Sequence, residues 1–174
     1  QSLSTLSFTQ PFRKKHSFSF TQELDYTKEL NDLSFFAKEV NGEKYNEFIP
    51  GYSNGWIKKG WLSTSALSFN FRLEDFEIAP ALHALAINRA HLFSRGPDAP
   101  MHYTYLYPSL NAKWKAYNLS YYRTIQEPFV GDLQQEIEVS NPLLKQYGNP
   151  FLRPTSTQHL SLNAFKFQSK SNSS

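Results

Sequence analysis

The sequence predicts an all-β chain, an antiparallel up-and-down transmembrane β-barrel of which these 174 residues supply an arc of about seven strands. Three observations predict it. Aromatic residues make up 16% of the chain although its mean hydropathy is negative, so large apolar side chains are interleaved with polar ones. The interleaving has a period of two along run after run, the pattern of a strand with one apolar face. The connections between runs alternate between very short and long, and a barrel that crosses a membrane keeps its short turns at the periplasmic end and its long loops outside.

The elements follow in order. Residues 6–12 put Leu6, Phe8 and Phe12 on one parity, with Ser7, Thr9 and Pro11 on the other. Arg13, Lys14 and Lys15 form a short polar turn. Residues 16–26 give the cleanest strand, with Phe18, Phe20, Leu24 and Tyr26 opposed to Ser17, Ser19, Thr21, Glu23 and Asp25. A helix would set residues 18 and 20 on opposing sides, so the alternation excludes one here. A long external loop is expected over 31–55, where Asn41-Gly42, Pro50-Gly51 and Asn54-Gly55 each favour a bend.

A third run, 61–72, opposes Trp61, Leu67, Phe69 and Phe71 to Thr64, Ser68, Asn70 and Arg72, and a tight turn around Glu74 and Asp75 follows. In the fourth, 76–87, Leu85 and Ile87 break the parity of Phe76, Ile78, Leu82 and Ala84. Pro80 lacks a ladder donor, so a bulge or an edge is expected there, and a helix over 81–93 competes. A shorter external loop, 94–102, leads to a strand over 103–115 whose Leu106, Leu110 and Trp114 oppose Tyr107, Ser109, Asn111 and Lys113. After a turn at Ala116-Tyr117, Leu119 and Tyr121 alternate with Ser120, Tyr122 and Thr124. A second long loop, 125–156, precedes the last run, 158–167, and a polar tail, 168–174. In that run Leu160 and Leu162 face one way and His159, Ser161 and Asn163 the other, while Phe165 and Phe167 fall off the apolar parity.

Composition narrows the chemistry. No stretch reaches the roughly 18 apolar residues of a membrane helix, so a crossing must be made by strands. The absence of cysteine removes disulfides, thiolate nucleophiles and sulfur-ligated zinc. A net charge of +3 with scattered basic residues gives no nucleic-acid footprint. His83, His91 and His102 lack ligand spacing, and no Ser-His-Asp order or phosphate loop is present, so no enzyme, metal or cofactor is expected.

The segments "LYPSLNAKW" (106–114), "LSYYRTIQEP" (119–128), "NPLL" (141–144) and "GNPFLRP" (148–154), with "FTQPFRKKHSFSF" (8–20), resemble the outer-membrane β-barrel family related to TonB-dependent receptors that is abundant in Bacteroidetes. Two positions depart from that pattern: Glu127 stands in place of an Arg before Pro128, and Thr155 in place of a Glu after Pro154. The resemblance implies a protein of the bacterial outer membrane that imports a bulky nutrient, with outer-membrane lipid, the remainder of the barrel, a plug domain and TonB-type energy coupling as its partners. Seven strands is an odd number, so the remainder of the barrel is expected outside these residues.

Facing assignments follow from parity. The lumen is expected to receive Ser17, Ser19, Thr21, Glu23, Asp25, Thr64, Ser68, Asn70, Arg72, Ser109, Asn111, Lys113, Ser120, Tyr122 and Thr124. Lipid is expected to receive Phe18, Phe20, Leu24, Leu67, Phe69, Phe71, Leu110, Trp114, Leu119, Tyr121, Leu160 and Leu162. Interfacial girdles are expected at Trp61, Tyr103, Tyr105 and Tyr107 near the loops and at Phe12 and Trp114 near the turns. Glu127, Asp132, Glu136 and Glu138 are the loop carboxylates that would meet a ligand. Two rivals share these features: a soluble or surface-exposed β-sandwich that binds glycan or protein, and a non-transport barrel for adhesion or assembly.

Overall fold

Alternation of apolar and polar residues produces one large sheet in a computed structural model of the chain, which describes residues 2–13, 15–34, 36–38, 45–48, 54–135 and 147–165. Its strands are β1 (Ser2–Pro11), β2 (His16–Leu33), β5 (Asn54–Leu73), β6 (Phe76–Phe93), β7 (Ala99–Trp114), β8 (Tyr117–Gln126) and β9 (Thr155–Ala164). A small hairpin, β3 (Phe36–Lys38) with β4 (Tyr45–Phe48), lies between β2 and β5, and a short helix, α1 (Val130–Leu133), between β8 and β9. The seven strands are ordered β1-β2-β5-β6-β7-β8-β9, each antiparallel to the next, so the chain is an up-and-down meander with β1 and β9 at its edges. A sandwich would need two packed sheets, and these seven strands form one.

Three short turns join β1 to β2, β5 to β6 and β7 to β8 at one end. Each contains a non-glycine residue of positive φ: Arg13 (65°), Glu74 (41°) and Lys115 (50°). Left-handed backbone of this kind matches a tight hairpin to the twist of its strands. The last turn is centred on Lys115 and Ala116, one residue earlier than expected. At the other end the strands run further than their alternation suggested. β2 reaches Leu33 and β5 begins at Asn54, β7 already begins at Ala99, and β9 begins at Thr155, so all three loops are shorter than 31–55, 94–102 and 125–156.

The bulge or edge expected at Pro80 is not formed, and neither is a helix over 81–93. β6 is a central strand, paired with β5 from Trp56↔Phe93 to Leu73↔Phe76 in one register. Bridging pairs are missing only where Ala79 and Pro80 lie opposite Asn70 and Phe69. A proline has no N–H to give, so the ladder skips it without slipping.

Register fixes which side chains share a face, because directly opposed residues point the same way. One face carries Phe18↔Phe69, Phe20↔Leu67, Leu24↔Ser63, Leu110↔Tyr121, Trp114↔Tyr117, Leu119↔Leu162 and Tyr121↔Leu160, with Phe71 beside Phe69. It is bare. Leu160 is 74% exposed, Leu106 66% and Trp114 52%. Its polar members in the middle, Gln22, Ser63 and Ser65, hydrogen-bond to one another. The opposite face carries Ser17↔Asn70, Ser19↔Ser68, Thr21↔Ala66, Glu23↔Thr64, Asp25↔Leu62, Arg72↔Glu77, Ala81↔Ser109, Glu77↔Lys113 and Asn111↔Ser120. Towards the long-loop end this face is covered by α1 and the segments around it, and the core of the molecule lies there: Leu85, Ile87, Ala99, Met101 and Leu133.

Candidate functional site

The parity break at Leu85 and Ile87 is the starting point. Both stay in β6 and turn to the polar, covered face, where with Ala99 and Met101 of β7 they make an apolar seat for Leu133, which is fully buried. Burying a leucine in this way contributes about 2 kcal/mol, enough to hold a four-residue helix that has no side-chain cap. Tyr103, Tyr105 and Tyr107 also lie on this face and pack against the same cluster. They therefore do not share a face with Trp61, their expected companion in a girdle. On the bare face the aromatic pair at the long-loop end is Tyr26 with Trp61, ring centroids 4.8 Å apart.

The stretch after α1 is clamped by backbone hydrogen bonds. Gly148 N–H donates to the Gln134 carbonyl at 2.9 Å and Asn149 N–H to the Asp132 carbonyl at 2.6 Å. The approach requires glycine, since a Cβ at 148 would lie 2.5 Å from both carbonyl oxygens. Asn149 Oδ1 then accepts the Phe151 N–H at 3.0 Å, and Pro154 is buried. "GNPFLRP" thus folds back on α1 before the chain re-enters the sheet at β9. Phe129 and Phe151, on the two limbs of this fold, remain 75% and 82% exposed.

Beside the apolar seat sits a cluster of charges. Arg89 of β6, 6% exposed, faces Gly60 of β5, which in turn faces Thr27 of β2. Gly60 has φ +139°, and a Cβ there would overlap the Asn88 carbonyl oxygen and stand 2.6 Å from Arg89 Cα. The missing side chain leaves a gap in the layer, and the Arg89 side chain crosses β5 through it. Its Nη2 donates to Asp25 Oδ2 at 2.9 Å and Thr27 Oγ1 at 3.2 Å, both on β2. Its Nη1 donates to Glu127 Oε1 at the end of β8. Lys58 Nζ stands 3.7 Å from Glu127 Oε2, an ion pair too long for a hydrogen bond. One arginine therefore ties strand β2, strand β6 and the start of the α1 loop together, with two cations set against two carboxylates among the described residues.

His91 is next to this cluster, opposite Lys58, with no exposed surface; the Ala99 backbone lies beside its ring, but neither ring nitrogen makes a hydrogen bond of good geometry among the described residues. Arg89 Nε and Glu127 Oε2 are also buried without a hydrogen bond. His83 shares the face and bonds Ser109 Oγ at 2.9 Å, whereas His102, opposite Asn88, belongs to the bare face. The structure thus brings together Asp25 and Glu127 from the expected residues. Asp132 is exposed in α1, and Glu136 and Glu138 lie outside the described residues. Lys58, Gly60 and Arg89 are not among the expected residues, and His91 enters the sequence reading only as a rejected metal ligand. An isolated glycine inside a strand was the available signal, since it marks a close backbone approach.

The remaining polar candidates line the covered face from this cluster towards the short turns, with Ser19 and Ser68 hydrogen-bonded at 2.6 Å. Tyr122 and Thr124 are the exception. The β7–β8 pairing ends at Leu110↔Tyr121, and beyond it Ile125 and Glu127, which share the parity of Tyr121, meet the covered-face cluster. β8 has left β7 and folded over that face, so Tyr122 and Thr124 point away from it.

A family model described as "Outer membrane protein beta-barrel family" matches residues 2–174. Comparison with curated proteins and with solved structures gives no match.

Proposed function

The chain belongs to the outer membrane protein β-barrel family, and from that premise we propose that it forms part of the wall of a barrel that imports a bulky solute, its covered face lining the lumen and its bare face meeting lipid. One observation carries the facing: a wide apolar face is left open, while the other face buries charged and polar side chains beside its apolar cluster. Leucines and aromatics stand exposed on one side while Arg89, His91 and Thr27 are buried on the other. In water such a surface would be covered, whereas hydrocarbon accepts it. The dimensions agree. From Phe76, level with Trp114, to Asn88, level with Trp61, β6 advances twelve residues. At about 3.3 Å per residue and a tilt of about 40° this spans about 30 Å of the bilayer normal.

Import in the manner of TonB-dependent receptors is supported by the likeness of the motifs in 106–154. In that reading energy coupling and a plug domain come from other parts of the protein. In this reading the exposed Phe129 and Phe151 lie at the outer mouth, where a solute makes first contact. The facing is tested by single cysteines along β2 in lipid vesicles: Ser17→Cys, Ser19→Cys and Thr21→Cys should react with a water-soluble maleimide, and Phe18→Cys and Phe20→Cys should not. Equal reactivity at odd and even positions would sink it. Transport is tested by deleting the gene and measuring uptake of bulky solutes with and without the proton-motive force. Unchanged uptake with lost adhesion or assembly would favour the non-transport barrel.

A further inference from the structure

Among the described residues, every buried side-chain nitrogen or oxygen that lacks a hydrogen bond belongs to Arg89, His91 or Glu127. Buried polar atoms are rarely left so, and a group of them at one place calls for an explanation such as strain, a functional role or a bound water or ion. Three nitrogen-bearing side chains meet there: Arg89, His91 two residues along the same face of β6, and Lys58 directly across from His91. Arg89 is fixed from behind by Asp25 and Thr27 through Nη2, which leaves Nε unused. Glu127 meets this group with one oxygen hydrogen-bonded to Nη1 and the other 3.7 Å from Lys58, so it underfills the site. A planar carboxylate on a short tether cannot serve Nε, Nη1, an imidazole and an ammonium at once. A tetrahedral oxyanion has more acceptors and is matched to the fork of an arginine.

We propose that Lys58, Arg89 and His91 form an oxyanion site on the lumen wall, held in this structure by the chain's own Glu127, and that a solute phosphate or sulfate group displaces Glu127 and frees the α1 segment from its seat. Among the described residues of the site, Lys58 and Arg89 exceed the remaining carboxylate, Asp25, by one charge once Glu127 leaves, so the vacated site attracts an anion. Anion binding does not depend on transport. Only its consequence, an opened lumen, rests on the import reading.

The test uses the intact protein in lipid vesicles. Leu133→Cys introduces a thiol at a position with no exposure, in a sequence without cysteine, and Phe151→Cys provides an exposed reference. Inorganic phosphate, and sulfate likewise, should raise the reaction of Leu133→Cys with a water-soluble maleimide about tenfold over sodium chloride of equal ionic strength, while Phe151→Cys reacts at one rate throughout. Lys58→Gln should abolish the increase, and Glu127→Gln should give the fast rate in chloride alone. Equal rates in all three salts overturn the proposal. Should Leu133→Cys not fold, calorimetric titration of the unsubstituted protein with phosphate decides: binding that Lys58→Gln weakens about tenfold, about 1.4 kcal/mol, supports the site, and no binding overturns it. Phosphate binding by a protein that imports nothing would refute the import reading and leave the site standing.

Discussion

Gly60 and Gly148 shape this site without contributing a side chain, because each makes room for backbone or side chain where a methyl group would not fit. At Gly60 a substitution meets both the strained φ of +139° and the path of Arg89. Gly60→Ala is therefore expected to cost at least about 2 kcal/mol and to detach Arg89 from β2, measured by urea unfolding in lipid. Stability equal to the unsubstituted protein would show that the crossing is not required. Arg89→Ala removes the guanidinium that the half-buried Asp25 and Glu127 share and is expected to cost about 3–5 kcal/mol in the same measurement. Gly148→Ala acts on α1 alone. The clamp to the Asp132 and Gln134 carbonyls opens, and amide exchange of residues 130–134 should accelerate while that of β6 does not.

Individual strands show how far periodicity reaches. β2 reads correctly from its alternation, so its two faces make a clean test: Phe20→Arg should cost about 2–4 kcal/mol in a bilayer. Ser19→Arg should cost about 1 kcal/mol or less, the value of its hydrogen bond to Ser68. Equal penalties would mean that the two faces are not lipid and lumen. β6 reads poorly, for two local reasons. Pro80 removes one donor, which resembles a strand end in the sequence but is spanned by an unbroken register in the sheet. Leu85 and Ile87 put apolar side chains on the polar face because α1, more than forty residues later, covers them. No window of neighbouring residues contains that information.

At the scale of the molecule, seven antiparallel strands leave β1 and β9 running in the same direction, so the two edges cannot complete an antiparallel ladder with each other. An odd number of further strands between them restores alternation. Edge N–H and C=O groups left open in hydrocarbon cost several kcal/mol each, which makes the edges the sensitive probe of closure. In the intact barrel in lipid, the β1 and β9 amides that point away from β2 and β8 should exchange as slowly as those of β5 and β6. Fast exchange confined to the edges would show a sheet that stays open.

Amino-acid order alone determined the seven strands of the main sheet, the short turns to within one residue, the two faces of β1, β2 and β5, and the likeness to an outer-membrane family that the match over 2–174 then showed. Those features depend on a period of two and on residues close together in the chain, and local sequence holds both. Only the tertiary structure decided that β8 leaves β7, that Tyr103, Tyr105 and Tyr107 belong to the covered face's packing, and that Arg89 passes over Gly60 to meet Asp25 and Glu127. The physical reason is distance along the chain. Arg89 and Asp25 are brought together by the registers of two successive strand pairings, and Glu127 by the folding of β8 over them, so their attraction exists only once the sheet is assembled.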